Sequence, residues 1–248
     1  MITIKNKKDI AALRRAGQEL SRILKEVRLL VKPGITTIEL DRKADYLIKE
    51  KDYQAAFKNY NGFPKTLCTS VNEAAVHQIP SDYKLKEGDL LSLDIGLIKD
   101  GYYADMAFTV GIGEVTEEAQ RLMKITHQSL KAGIKRLQPG KTLGDVGNAI
   151  QKVVESNNFT IVEDLCGHGI GHDLHEDPNV FNYGQPSRGL TIRPGMVFCL
   201  EPIASTGGKN IKRGPDGQSY ITKDHSLTAH YEHMVAVTPE GPVVLTSF

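Results

Sequence analysis

Two aspartates, Asp94 and Asp105, lie in the apolar stretch LLSLDIGLIKDGYYADMAF, where carboxylates are unexpected. If Asp100-Gly101 forms a two-residue hairpin turn, Gly96 faces Asp105 across two antiparallel strands. Asp94 then lies on the same face, because side chains alternate along a strand, and the two carboxylates approach within about 7 Å. Such a pair repels strongly unless a proton or a cation lies between the groups. The pattern therefore indicates either a metal site or a solvent-facing pair on an edge hairpin.

Histidines cluster in the segment CGHGIGHDLHEDP, which places His168, His172 and His175 close together. The intervening glycines disfavour a helix and let the backbone approach a site closely, and imidazole is a common ligand of divalent metals. The segment predicts metal ligands, and the alternative is a solvated histidine-rich loop. His77, in NEAAVHQIP, has no such neighbours, and on its own it is interpreted as structural.

Two glutamates of the C-terminal half lie at the ends of apolar runs. Glu201 closes MVFCLEP, and Glu232 stands at the start of an apolar strand in AHYEHMVAV. A glutamate in such surroundings is expected to be buried and to need a partner. The alternative is a strand-end carboxylate that points to water. The neighbouring His230 and His233 are predicted to face away from an inward-pointing Glu232, outside the site.

Together these segments offer two Asp, two Glu and one His as candidate ligands, a set that suits a pair of divalent ions such as Mn, Fe, Co or Zn. Two such ions roughly 3.5–4 Å apart can hold a hydroxide at neutral pH and polarise a carbonyl. The set predicts hydrolysis of an amide or ester without a covalent intermediate. Serine catalysis has less support, because the chain has no GxSxG motif. Cys68 is a thiol near a site-like segment, but the sequence gives neither its pKa nor a paired base.

Helices and strands are predicted around these residues from apolar spacing and from capping and turn signals. Apolar residues at every third or fourth position predict a first helix over 10–30, with Asp9 as its N-cap. A second helix begins at Thr36, where Glu39 completes a capping box. The remaining predictions are an irregular segment 52–80, a strand from Leu90 to Ile98, a returning strand from Tyr102 to Val110, helices from about Thr116 to Leu137 and from near Thr142, and short strands after residue 158.

A faint internal repeat relates the two halves of the chain. The pattern PGxTxxE at 33–39 recurs 106 positions later as PGxTxxD, and KEGDLLSLD at 86–94 recurs 107 positions later as RPGMVFCLE. Two matches in the same order predict two halves of similar design, each a helix pair followed by strands. Packing about a pseudo-twofold axis would bring Asp94 and Glu201 together. No linker-like stretch separates the halves, so one compact domain is expected.

Composition excludes several classes of protein. The 248 residues are 40% hydrophobic and 25% charged, which is typical of a globular chain, and the net charge of +1 gives no electrostatic reason to expect nucleic-acid or anionic-membrane binding. No apolar run approaches the roughly 20 residues of a membrane span, and MITIKNKKDI lacks the apolar stretch of a secretory signal. Three cysteines without a CxxC pair argue against a disulfide scaffold. A cytoplasmic protein is expected, and a monomer, since nothing suggests an obligate interface.

The motifs NEAAVHQIP, SLDIGLIKDGYYAD, CGHGIGHDLHEDP, FCLEP and KDHSLTAHYEH occur in this order, and with them nearly the whole chain closely resembles the type I methionine aminopeptidases of the M24 metallopeptidase family. The resemblance implies an α+β pita-bread (creatinase/aminopeptidase) fold, an antiparallel sheet flanked by two helix pairs with pseudo-twofold symmetry, as a single catalytic domain over 1–248. It also implies removal of the initiator methionine from nascent proteins when the second residue is small. The short gap between His175 and Glu201 resembles type I, because type II enzymes carry a helical insertion there.

The same resemblance implies roles for individual residues. It implies two divalent metal ions per chain (Co, Mn, Fe or Zn), with Asp94, Asp105, His168, Glu201 and Glu232 as the ligands. Asp105 and Glu232 would bridge the ions, and Glu201 would also pass a proton from the nucleophile to the leaving amine. His77 and His175 would hydrogen-bond the scissile amide and the tetrahedral intermediate, a role that replaces the structural interpretation of His77.

Tyr60, Phe63 and Cys68 would, by the same resemblance, line the pocket for the methionine side chain, where an apolar wall bearing sulfur suits a thioether. The chain departs from the usual bacterial pattern at Leu174, where an aromatic is common, and at Gln218, where a tryptophan is often found. An alternative is therefore a related M24 aminopeptidase with a different or broader side-chain preference. A catalytically inactive binding protein is disfavoured, because all five ligand positions are kept. Transient ribosome association is compatible with the activity, although no basic tail supports it.

Overall fold

A computed structural model describes residues 2–247 of the chain. This described part contains four α-helices and fifteen strands. The helices are α1 Lys7–Arg28, α2 Thr37–Glu50, α3 Glu117–Arg136 and α4 Leu143–Glu155. The strands are β1 Gln54–Ala55, β2 Leu67–Val71, β3 Ala74–Val76, β4 Leu90–Lys99, β5 Tyr102–Gly111, β6 Thr160–Ile161, β7 Cys166–Gly169, β8 Glu176–Phe181, β9 Val197–Leu200, β10 Ile203–Ser205, β11 Ile211–Arg213, β12 Tyr220–Thr222, β13 Thr228–His230, β14 His233–Thr238 and β15 Gly241–Val244. None of the helices in this range is long and apolar enough to cross a membrane.

The first helix begins slightly earlier than its sequence signals predict. Its N-cap is Asn6, and Asp9 at the third helical position accepts a hydrogen bond from the Asn6 N–H at 2.8 Å. The prediction of Asp9 as N-cap is therefore wrong. Asn and Asp are both favoured at the N-cap, and the sequence does not indicate which of the two residues of this capping box occupies that position.

The predicted hairpin is confirmed with its register. β4 and β5 pair antiparallel, with Lys99 opposite Tyr102 and Gly96 opposite Asp105. Positive φ angles of 53° at Asp100 and 77° at Gly101 are the ones that a type I′ turn requires, and this turn matches the twist of the strands. β1 and β2 pair with the other edge of β4, so β4 lies inside a four-stranded sheet and its first eight residues are buried.

The segment 52–80 is not wholly irregular, and that prediction is wrong. It contains β1, β2 and β3, of which β2 pairs with β4 and β3 pairs with β12 from the far end of the chain. All five residues of β2, LCTSV, are buried. A strand buried on both faces shows no alternation of apolar and polar residues, so β2 gives no period-two signal in the sequence.

The C-terminal half forms a five-stranded antiparallel sheet in the order β15-β14-β9-β7-β8. Two three-stranded sheets, β13-β10-β6 and β11-β12-β3, complete the strand pairing of the described residues. The core has two main clusters, one that joins α1 and α2 to the β4–β5 hairpin and one that joins α3 and α4 to β9 and β14. Leu20 and Ile150 are fully buried in these clusters, and burial of such a side chain contributes roughly 1.5–3 kcal/mol.

Equivalent hydrogen bonds confirm that the two halves share a design. The Gly34 N–H donates to the Leu85 carbonyl at 2.7 Å, and the Gly140 N–H donates to the Ile192 carbonyl at 3.0 Å. These donors and acceptors are separated by the offsets of the sequence repeat. α2 and α4, which follow the two glycines, each begin with a capping box. The helix pairs and antiparallel sheets confirm the α+β class.

Candidate metal centre

One cavity of about 310 Å³ is lined by every residue that the sequence assigns to the site. These residues are Tyr60, Phe63, Cys68, His77, Asp94, Asp105, His168, His175, Glu201 and Glu232. Leu174 and Gln218, where the chain departs from the bacterial pattern, also line the cavity. The fold thus brings both halves of the chain to one concave site.

Asp94 and Asp105 are both buried in this cavity wall. Only 7% of Asp94 and 4% of Asp105 are exposed, and the Oδ1 atom of each has no hydrogen-bond partner. Burial raises the pKa of Asp94 to about 7. Burial, with the charges of Glu232 and Asp94, raises the pKa of Asp105 well above its usual range. A buried, unpartnered carboxylate is costly, which excludes the solvent-facing alternative and makes both oxygens suited to bind a cation.

His168 is oriented by the backbone of its own strand. Its Nδ1–H donates to the carbonyl of Gly169 at 2.9 Å, and because a carbonyl only accepts, the lone pair lies on Nε2. Nε2 is 3.4 Å from Glu201 Oε1 and 4.0 Å from Asp105 Oδ2. Burial lowers the pKa of His168 to about 3, so the ring is neutral. A neutral imidazole held by a carbonyl in this way is in the form that binds metal ions.

Glu201 and Glu232 follow strand ends but do not point freely to water. Glu201 comes directly after β9, and Glu232 lies between β13 and β14, where its N–H donates to the Ala107 carbonyl at 2.8 Å. Burial, reinforced by neighbouring carboxylates, raises the pKa of both well above the usual range. The Glu232 Oε1 atom is buried without a hydrogen-bond partner. Both glutamates therefore place carboxylate groups in the wall of the cavity, beside Asp105 and His168.

His230 is a residue for which the sequence prediction is wrong. It is only 2% exposed, and its Nε2 lies 4.0 Å from Glu201 Oε2 and 4.0 Å from Glu232 Oε2. His230 precedes Glu232 by two residues, and in an extended chain residues two apart share a face. His233 instead places its Nδ1 3.2 Å from Thr246 Oγ1, outside this cluster.

Cys199 is a neighbour of the site that the sequence analysis missed. It pairs with His168 across β7 and β9. Its Sγ and ligand atoms of Asp105, His168 and Glu232 all lie within 4.8 Å of one another. The strands pack closely here, since a Cβ at Gly167 would lie 2.2 Å from the Cys199 carbonyl oxygen. Strand alternation predicts that Cys199 shares a face with Glu201, because Cys199 precedes this proposed ligand by two residues.

His175 and His77 bring further imidazoles to the cavity. His175 Nδ1 lies 2.8 Å from the Tyr60 hydroxyl, and its ring centroid is 4.2 Å from that of His168. Desolvation lowers the pKa of both His175 and His77, which favours neutral rings. His77 has a φ of +60°, a left-handed conformation that is uncommon for a non-glycine residue and that clusters at functional sites.

The histidine-rich segment divides between the site and the surface. His168 and His175 line the cavity, whereas His172 does not. His172 is exposed, and its ring packs against Tyr102 with centroids 4.5 Å apart. The segment therefore contributes His168 and His175 to the cavity, the two histidines to which the resemblance gives roles, and His172 lies outside it.

The apolar side of the cavity contains the residues predicted for side-chain recognition. Phe63, Cys68 and Leu174 are each at most 6% exposed, and Tyr60 lies beside them on the cavity wall. Burial raises the pKa of the Cys68 thiol well above its usual range, and nearby carboxylates add to the effect. A protonated thiol is a poor nucleophile, so cysteine catalysis has no support here.

The donor set fits a divalent cation. Across residues 2–247, no lysine or arginine lies within ion-pair distance of the four carboxylates, and the imidazoles nearest to them, His168 and His230, have pKa values lowered to about 3. The like charges are thus uncompensated by protein cations. Carboxylate oxygens with a neutral imidazole are the ligands that Mn, Fe, Co and Zn bind.

The raised pKa values of the four carboxyl groups predict how the stability of the metal-free protein depends on pH. Their folded-state pKa values are raised, so the folded protein holds protons that the unfolded chain has already released above about pH 5. Stability is then lost as the pH rises through the folded-state values. Above about pH 7.5, histidines are largely neutral in both states, because their unfolded pKa is about 6.5, and they do not mask this loss.

We therefore expect the unfolding temperature in EDTA to fall from about pH 7.5 to 8.5. Divalent metal should raise the unfolding temperature and weaken its dependence on pH. For one site, metal at 100 times its Kd adds about 2.7 kcal/mol to the free energy of unfolding. Calorimetry at fixed ionic strength, with and without Mn²⁺, measures both effects. An unfolding temperature that rises with pH in EDTA would contradict the electrostatics described above.

The fold and this cluster define the chain as a metallopeptidase, and it belongs to metallopeptidase family M24, whose profile matches residues 11–239. Its relatives within that family include methionine aminopeptidases. The chain is 43% identical over 246 residues to the methionine aminopeptidase of Clostridium perfringens, which covers 99% of each chain. It is 41% identical over 247 residues to that of Escherichia coli K12, which covers 99% of this chain and 94% of the other.

Solved structures confirm the predicted pita-bread fold. The methionine aminopeptidase of Rickettsia prowazekii superposes with a TM-score of 0.98 at 38% identity and full coverage of both chains. The prolidase of Pyrococcus horikoshii OT3 superposes with a TM-score of 0.79 at 22% identity over 98% of this chain and 63% of that one, which shows a shared fold alone. The resemblance to type I methionine aminopeptidases, inferred from the motifs, is confirmed.

Proposed function

We propose that this protein is a methionine aminopeptidase that removes the N-terminal methionine of peptides and nascent proteins when the second residue is small. The observation that carries the proposal is one cavity in which three buried carboxylates, the largely buried carboxylate of Glu201 and a neutral imidazole adjoin an apolar pocket. Whole-chain identity to methionine aminopeptidases supports it.

Five residues would hold two divalent ions, namely Asp94, Asp105, His168, Glu201 and Glu232. Four carboxylates carry more negative charge than one divalent ion neutralises, and only three of the five residues belong to the group whose ligand atoms lie within 4.8 Å of one another, so a second ion is proposed for Asp94 and Glu201. When bound, the ions lower the pKa of water and polarise the scissile carbonyl. Mn, Fe, Co and Zn all suit this donor set.

The protein's own residues would perform the other tasks. Glu201, whose pKa is raised, is suited to take a proton from the attacking water and deliver it to the leaving amine. The Tyr60 hydroxyl lies 2.8 Å from His175 Nδ1 and would donate to it, which would leave a proton on His175 Nε2 to donate to the tetrahedral intermediate. His77 would hydrogen-bond the scissile amide. Tyr60 and Cys68, with the ring of Phe63, would receive the methionine side chain.

Peptide cleavage tests this proposal directly. With saturating Mn²⁺, Fe²⁺, Co²⁺ or Zn²⁺ in separate reactions, we expect Met-Ala-Ser to be cleaved faster than any other Xaa-Ala-Ser or Xaa-Pro peptide. Release of the N-terminal amino acid is the measurement. Absence of cleavage with every metal would refute the proposal.

A second candidate is an M24 aminopeptidase with a broader preference. Leu174 and Gln218 both line the cavity, and they change its wall from the aromatic surface predicted for bacterial relatives. Equal cleavage of Leu-Ala-Ser and Met-Ala-Ser would favour this candidate, whereas methionine ranking first would remove it. The single catalytic domain over 1–248, the monomeric state, the cytoplasmic location and transient ribosome contact stay predictions from the sequence.

A further inference from the structure

His230 has an environment that the proposed mechanism does not use. Its side chain is 2% exposed, and neither Nδ1 nor Nε2 has a hydrogen-bond partner. Its backbone is fixed, because the His230 N–H donates to Thr109 Oγ1 at 2.8 Å and the Thr109 hydroxyl donates to the His230 carbonyl at 2.9 Å. A buried imidazole with two unpartnered nitrogens is costly, so its position calls for a role at the site.

The ring points to the oxygens of two proposed metal ligands. His230 Nε2 is 4.0 Å from Glu201 Oε2 and 4.0 Å from Glu232 Oε2, whereas His168 Nε2 faces the other Glu201 oxygen, Oε1, at 3.4 Å. Glu201 therefore lies between two imidazoles. His168 presents a lone pair, because its proton is held by a backbone carbonyl. His230 has no such carbonyl partner at either nitrogen, and a proton on its Nε2 would face both carboxylates.

We propose that His230 is a positioning residue whose Nε2–H donates to the Oε2 atoms of Glu201 and Glu232. This contact would hold the Oε1 atom of each carboxylate in the orientation that binds divalent metal. The proposal rests on the proposed metal site. Ligand carboxylates bind metal more tightly when a second group fixes their orientation, and loss of such a group typically lowers affinity 10- to 100-fold. A carboxylate shift of about 1 Å would bring these distances into the range of a hydrogen bond.

Three variants test this role. His230→Leu removes the donor and keeps the buried volume, and His230→Gln keeps an N–H donor at a similar reach. His233→Leu is the matched control, because His233 lies in the same AHYEH motif and faces Thr246. The metal-free full chain is titrated with Co²⁺. Calorimetry gives the affinity and the visible absorption of bound Co²⁺ gives the ligand geometry, and neither measurement depends on activity.

We expect His230→Leu to weaken Co²⁺ binding roughly 10- to 100-fold and to change its visible spectrum. The Co²⁺ affinity and visible spectrum of His230→Gln should be closer to those of the wild type than the values of His230→Leu are. His233→Leu should have the affinity and spectrum of the wild type. If His230→Leu fails to fold in metal-free form, His230→Asn, which is polar but too short to reach either carboxylate, replaces it with the same expectation.

Three results would overturn the inference: wild-type affinity in His230→Leu, an equal loss in His230→Gln, or an equal loss in His233→Leu. The failure of the proposed function is recognised separately. A wild-type protein that binds Co²⁺ but cleaves no methionyl peptide refutes the function and leaves the inference on His230 standing. An active wild-type enzyme with unchanged metal binding in His230→Leu refutes only the inference.

Discussion

Replacing Asp105 by asparagine is expected to lower kcat/KM for a methionyl peptide by roughly 10³-fold or more. Asp105 Oδ1 has no hydrogen-bond partner, its Oδ2 lies 4.0 Å from His168 Nε2, and Glu232 and Asp94 both influence its pKa. It is therefore at the centre of the cluster. An amide has no negative charge for a cation, and metal catalysis supplies several kcal/mol, which corresponds to that loss at 1.36 kcal/mol per tenfold.

The measurement is peptide cleavage together with metal content by elemental analysis. We expect Asp105→Asn to retain fewer metal ions per chain than the wild type after removal of free metal. Asp100→Asn is the matched control, because Asp100 lies in the turn of the same hairpin with a 63% exposed side chain and has a φ that asparagine adopts readily. Wild-type activity in Asp105→Asn would refute the proposed site.

Replacing Glu201 by glutamine is expected to lower kcat by roughly 10²- to 10⁴-fold, the usual contribution of a general acid–base group. Glu201 Oε1 is 3.4 Å from His168 Nε2 and Oε2 is 4.0 Å from His230 Nε2, so the side chain is held in the cluster. Glutamine has a similar shape but cannot take up and release a proton at neutral pH. KM should change far less than kcat, because the apolar pocket is untouched.

Initial rates at saturating metal check this prediction, with metal content measured on the same samples. Glu163→Gln serves as the control, since Glu163 pairs with Lys209 on the surface at 2.8 Å. A loss below about tenfold at full metal occupancy would exclude Glu201 as the main proton carrier. A loss that disappears when more metal is added would assign it a ligand role alone.

How far the sequence alone predicts the site depends on local geometry. The placement of Asp94 and Asp105 on one face follows from the sequence, because a two-residue turn fixes the register of the ten-residue strands beside it. His77 was not recognised from the sequence alone, because its approach to the cavity depends on β3 pairing with β12, far along the chain. The resemblance to a known family supplied that information. β2 was missed because burial on both faces removes its alternation.

The sequence also contains a signal for the positions of His230 and Cys199. Each lies two residues before a glutamate that the sequence assigns to the site, so strand alternation places each on the same face as that glutamate. The start of α1 was misplaced for a different reason, because Asn6 and Asp9 satisfy each other and only the backbone conformation distinguishes them. Local patterns thus predicted element types better than element ends.

The origin of the ligands has a consequence for assembly of the protein. Asp94 and Asp105 come from the first repeat, whereas His168, Glu201 and Glu232 come from the second. Neither repeat carries the full proposed ligand set, so cations held by these residues would link the two repeats, and their binding energy would oppose separation of the repeats. Any change that loosens the contact between repeats, even far from the cavity, should therefore be detected as weaker metal retention before secondary structure is lost.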